Sequence, residues 1–147
     1  MKLKSPAFLD NQQIPFQYSC DGDNVNPPLE INDIPENAKS LVLIMTDPDA
    51  PGKTFTHWLM WNIPPQTKEI LESDWPEGAE QGINDRGQLG YQGPCPPSGV
   101  HHYHFKLYAL SSKLNVDPGI KKETLEREID GLTIQKTELI GIYSRSN

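Results

Sequence analysis

Basic residues are scarce in this chain. Its 147 residues include 13 Lys and Arg against 20 Asp and Glu, a formal net charge of −7. No Lys/Arg cluster forms the basic face that a nucleic-acid binder needs to displace counterions from phosphates. Anionic membrane surfaces are disfavoured on the same ground. A small local anion site is still allowed, because net charge does not decide the chemistry of a pocket. Long apolar runs are lacking too. Met1-Lys2-Leu3-Lys4-Ser5-Pro6 leads into polar residues, so the reading is no signal peptide and no membrane span. Cysteine is limited to Cys20 and Cys95, too few for a disulfide framework and without zinc-site spacing. The expectation is a cytoplasmic protein with two reduced thiols. Internal repeats and low-complexity tracts are absent.

Punctuation is what the chain has in plenty. Gly 11 and Pro 14 suit a loop-rich, strand-rich fold better than a helical bundle, and the length suits one domain over 1–147. Ser40 to Thr46 (SLVLIMT) is an apolar run short enough for a strand buried on both faces. It stops at Asp47-Pro48-Asp49-Ala50-Pro51-Gly52, whose prolines forbid helix and central strand and leave a cis proline within reach. Phe55 to Ile63 is a second run, closed by Pro64-Pro65. Residues 66–99 read mostly as loop, a length that ordinarily signals function. Val100 to Leu110 reads as a strand with Tyr103, Phe105, Leu107 and Ala109 on one face. Leu125, Ile129 and Leu132 predict one helix over Lys121 to Gly131, with Gly131 as its C-cap. Thr133 to Tyr143 closes the chain as a strand or a helix-to-strand piece. Strands followed by a lone late helix predict a mainly β fold: two antiparallel sheets in a Greek-key-like sandwich with one or two peripheral helices.

Three segments carry candidate chemistry. Asp47 and Asp49 stand at the end of a buried strand, where two close carboxylates repel unless each finds a donor or cation. An Asp-rich turn is ordinarily just a solvated turn. His57 beside Trp58 is ordinarily a hydrogen-bonded core residue. His101 and Tyr103 share one strand face while His102 and His104 share the other, so the three histidines cannot build one site. Two Asp and two His raise a zinc or iron reading, but no H-x-x-x-H or C-x-x-C spacing supports it. A serine-hydrolase elbow is missing, and Cys95 is flanked by prolines. The loop Gly93-Pro94-Cys95-Pro96-Pro97-Ser98-Gly99 is stiff and offers a few backbone N–H groups to an anion.

Taken in order, Asp47-Pro48-Asp49-Ala50-Pro51, His57-Trp58 and Gly93 through Tyr103 resemble the phosphatidylethanolamine-binding protein family, in its bacterial and archaeal, Raf kinase inhibitor-like branch. Cys20 through Leu29 is similar to a loop of the small prokaryotic members. The resemblance runs from about Ser5 to Tyr143 and implies the two-sheet fold. It also implies a pocket for phosphate-like and phosphorylethanolamine-like groups, built from Asp47, Asp49, His57, His101 and Tyr103. Gly93, Cys95, Pro96 and Pro97 would form its wall. Two positions depart from the family pattern: His102 replaces an Arg, on the strand face away from the pocket, and Ile31 replaces a Trp.

The function expected from these residues is non-enzymatic binding of a small anionic or phosphorylated ligand, with neither cofactor nor metal. Regulation through a protein partner, of the kinase- or protease-inhibitor kind, goes with the resemblance; kinase inhibition itself is not carried over. A homodimer is compatible with the small prokaryotic relatives. In the expected mechanism Asp47 and Asp49 orient His57 or His101 so that the imidazoles present N–H groups outward, and Tyr103 adds its hydroxyl. The alternative is an acid–base or metal-assisted hydrolase using Asp47, Asp49, His57 and His101. The resemblance places Cys20 and Cys95 in loops near the pocket end, where their proximity would allow a redox switch.

Overall fold

Side-chain alternation along the long strands explains most of the architecture. The computed structural model describes residues 1–145. In chain order its elements are β1 (Lys2–Lys4), β2 (Gln12–Gln13), a 3-10 turn (Phe16–Tyr18), β3 (Leu29–Asn32), β4 (Ser40–Asp47), β5 (Phe55–Ile63), β6 (Glu69–Ile70), β7 (Glu80–Gln81), β8 (His101–Leu110), α1 (Lys122–Asp130) and β9 (Thr133–Tyr143). They form a six-stranded sheet in the order β2-β9-β8-β4-β5-β7 and a three-stranded sheet in the order β1-β3-β6. The mainly β, two-sheet expectation therefore holds, with a correction at one edge. β2 pairs with β9 in parallel, whereas the other strand pairs are antiparallel. The cause is local: the chain around Gln12 runs along β9, and the N–H groups of Asn11 and Ile14 donate to the carbonyls of Ile140 and Ile142.

β4 is buried at all eight positions because both faces of the large sheet are covered. Leu41, Leu43 and Met45 pack toward the small sheet with Ile31, Phe105 and Leu107. Val42 and Ile44 point the other way, against Leu125 and Ile129 of α1. That helix presents Leu125 and Ile129 one turn apart, as the sequence spacing predicts. Truncating either buried side chain to Ala should cost about 2–5 kcal/mol. Gly131 does cap the helix, but in the right-handed region (φ −79°), without using glycine's special freedom. Ile31 is fully buried at the position where the family pattern has Trp.

Two irregularities in the β4–β5 pairing matter. One follows Leu41, where Asn62 (φ 53°) takes an extra step on β5. The other sits at the pocket end: Met45 pairs with Trp58 but Thr46 pairs with Thr56. His57 is thus the extra residue of a β-bulge, a device that re-aims a side chain and bends its strand. The Asp47–Pro51 turn forms without a cis proline; the described residues contain no cis peptide bond.

Candidate ligand-binding site

Strand alternation delivers three residues to one end of the sandwich. Asp47 ends β4 on the same face as Met45, and His101 and Tyr103 open β8 on the face of Phe105. His57 would face α1 with Leu59 and Trp61 if β5 were regular. The bulge instead turns its ring edge-on to Tyr103, with centroids 5.2 Å apart, and against Phe55 at 4.7 Å. Together Asp47, Phe55, His57 and His101 line a cavity of about 330 Å³. Cys95, Pro96 and Pro97 form one wall, and Asp85, Arg86 and Gln92 complete it.

Hydrogen bonds set the character of each group. His101 Nδ1 lies 2.6 Å from Asp47 Oδ2, both residues nearly inaccessible, and Asp47 Oδ1 accepts the Asp49 N–H at 2.8 Å. One carboxylate therefore orients the imidazole and closes the turn. His57 is oriented differently from expectation: its Nδ1–H donates to the Gln92 carbonyl at 2.6 Å, not to a carboxylate. Burial pushes the His57 pKa down, outweighing the Gln92 carbonyl and the Asp47 and Asp85 charges that push it up. With its N–H turned inward, neutral His57 is left with Nε2 as an acceptor, the reverse of the donor role the sequence suggested.

The remaining expected residues fall around this pair rather than all within the cavity. Asp49 is exposed, and its Oδ2 accepts from both the backbone N–H and Nδ1 of His102, at 2.8 and 2.7 Å. His102 indeed faces away from the pocket, and its hydrogen bond holds the Asp49 pKa low. Tyr103 is fully buried behind the cavity, its hydroxyl without a hydrogen-bond partner among the described residues. Desolvation, reinforced by Asp47, raises the phenol's pKa and keeps it an O–H. Gly93 braces the wall from behind, donating its N–H to Asn24 Oδ1 at 2.8 Å. A Cβ there would sit 2.1 Å from the Tyr18 carbonyl oxygen, so no larger residue fits.

The cysteines require a correction. Cys20 and Cys95 form a disulfide across 75 positions of sequence, so neither is a free thiol. Folding brings the Ser19–Asp21 loop against the pocket wall, where the Cys20 N–H donates to the Pro94 carbonyl. Arg145 lies over the bond, paired with Asp21 and donating to both sulfurs. Cys95 therefore lines the cavity as half of a crosslink, without a thiol to act as nucleophile.

A sequence profile described as phosphatidylethanolamine-binding protein matches residues 4–144. The chain belongs to this family. A UPF0098 protein of Methanothermobacter thermautotrophicus is 49% identical, over 99% of both chains. Another from Pyrococcus horikoshii is 52% identical over 99% of this chain and 78% of its own length. Among solved structures, a phosphatidylethanolamine-binding protein homolog of Chlamydia trachomatis superposes with a TM-score of 0.93 at 40% identity, covering 98% of this chain and 97% of that one. Escherichia coli YbcL, described as a new member of the mammalian family, gives 0.92 at 30% identity, with coverage of 99% and 98%.

Within this phosphatidylethanolamine-binding protein fold, four cavity residues escaped the sequence reading: Phe55, Asp85, Arg86 and Gln92. Asp85-Arg86-Gly87 lies within residues 66–99, which the sequence gives only as loop, and nothing in the spacing ties it to His57. The link is made in three dimensions, where the Asp85 N–H donates to the Thr56 carbonyl and Asp85 Oδ2 accepts the Thr56 N–H. Among the described residues no three His, Cys, Asp or Glu side chains are grouped to hold a metal ion, and no helix is long and apolar enough to cross a membrane.

Proposed function

We propose that the chain binds a small phosphorylated amine of the phosphorylethanolamine type and performs no reaction on it. One observation carries this reading: a buried Asp47–His101 pair and a neutral His57 share a cavity of about 330 Å³. That volume falls at the small end of ligand sites, roughly 300–1,000 Å³. Asp47 would stabilise the imidazolium of His101 as its second N–H meets a phosphate oxygen. Nε2 of His57 would accept a hydrogen bond from the ligand, from either a phosphate O–H or the ammonium. Asp85, also at the cavity, supplies a carboxylate for the ammonium.

The hydrolase alternative needs an attacking group. Cys95 is tied to Cys20, and Asp47 is already committed to His101 and to the Asp49 N–H. Binding is the better use of such an arrangement. Isothermal titration with phosphorylethanolamine, phosphate and acetate tests it in the wild type and in His101→Ala. Binding that prefers the zwitterion and disappears in the variant is the expected result. Absence of heat with all three in the wild type would overturn the proposal.

A further inference from the structure

Permanent positive charge is confined to one place in the cavity. Asp47 and His101 satisfy each other on the floor, and burial keeps His57 neutral. Asp85 at the mouth adds negative charge. Arg86 is the cavity's one Lys or Arg, exposed at the mouth, and no carboxylate lies within ion-pair distance of it among the described residues. An Arg beside an acidic neighbour, yet not paired with it, is free to meet an incoming anion.

The backbone under Arg86 is held firmly. Buried Asn84 accepts the N–H of Arg86 at 2.9 Å and that of Gln88 at 3.3 Å on its Oδ1. Its Nδ2 donates to the Gly90 carbonyl at 2.9 Å, and Gly87 donates back to the Asn84 carbonyl. Asp85 is pinned to Thr56, one residue before His57. The turn therefore fixes the root of the arginine against the strand that carries the pocket histidine. Only the side chain remains to be ordered when a ligand arrives, which keeps the entropic cost of binding low.

We infer that Arg86 is the specificity-determining residue of the pocket, selecting doubly charged phosphate over singly charged carboxylate. This rests on the pocket being the ligand site proposed above. The guanidinium fork matches two oxygens of a phosphate or a carboxylate, a geometry that lysine does not reproduce, so the preference for phosphate comes from its second negative charge. The ligand class follows: a phosphate monoester whose anionic end is shared between His101 and Arg86, with a short cationic arm within reach of Asp85. A phosphodiester carries one charge and offers this fork less.

The test is titration of phosphorylethanolamine, inorganic phosphate and acetate into wild type, Arg86→Gln and Arg86→Lys. For Arg86→Gln, both phosphate ligands should bind about tenfold more weakly or worse, while acetate changes far less. Arg86→Lys should fall between, and melting temperatures should match the wild type because Arg86 has no ion-pair partner to lose. Unchanged selectivity in Arg86→Gln, or an equal loss for all three ligands, would overturn the inference while leaving the pocket assignment standing. Failure of the wild type to bind either phosphate ligand would overturn both.

Discussion

The ring of His57 is held by the carbonyl of Gln92, 35 positions away, with 2.6 Å between Nδ1 and oxygen. A carbonyl can only accept, so the proton sits on Nδ1 and the other nitrogen carries the lone pair. Two histidines in one cavity are thus backed differently through Nδ1, His101 by the Asp47 carboxylate and His57 by a neutral carbonyl.

A pH dependence follows from the lowered His57 pKa. As pH falls, the unfolded chain takes up a proton at His57 first, near the ordinary value of about 6.5, while the folded chain resists. This contribution to stability is fully present above the unfolded value and is lost as pH falls through it toward the lower folded one. Melting temperature should drop between about pH 7 and 5, and His57→Asn should flatten that slope. Identical slopes in variant and wild type would show that His57 is not the titrating group.

Asp47 supports both a turn and a histidine. Asp47→Ala removes the acceptor for the Asp49 N–H and for His101, so it should lower unfolding stability by about 2–4 kcal/mol in urea. Asp47→Asn retains an acceptor for the turn and should cost less. Both should weaken phosphorylethanolamine binding. Equal stability of Asp47→Ala and wild type would contradict this account of the site.

Asp49 and His102 make a sharper contrast with Asp47 than their sequence positions suggest. Their pair is exposed, where such contacts contribute at most about 1 kcal/mol. Asp49→Asn should leave titration of the pocket within twofold of wild type, and its stability nearly unchanged. A loss of binding as large as that of Asp47→Ala would bring Asp49 back among the ligand-contacting residues.

The Cys20–Cys95 bond constrains a long stretch of unfolded chain. Loop-closure entropy for a loop of this size gives about 4–5 kcal/mol of stabilisation. Intact mass without reductant should be two hydrogens lighter than with it, and the urea midpoint should fall on reduction. Two free thiols by alkylation of the untreated protein would refute the bond.

The sequence made the long strands legible because their burial is itself periodic. SLVLIMT has no polar interruption since both sides of β4 are covered, and the alternation in β8 follows from having one inner face. Asp47 and His101 were legible too, since both stand on ends of those strands. Other features had no local signal. Gln12–Gln13 looks like loop, and its parallel pairing depends on β9 lying alongside. The bulge that turns His57 is a mismatch of one residue between two strands, visible only when both are aligned. Arg86 reaches the cavity through a turn anchored by Asn84, and two cysteines 75 positions apart carry no pairing motif.

The crosslink has a further effect on how the molecule would respond to a protease. Pro51–Thr54 is the exposed tip of the β4–β5 hairpin and lies inside the span the bond encloses. A single cut there separates the chain between Asp47 and His57, yet the fragments stay joined through sulfur. A nicked molecule would migrate as intact until reductant is added, and it would keep both halves of its ligand cavity on one covalent particle.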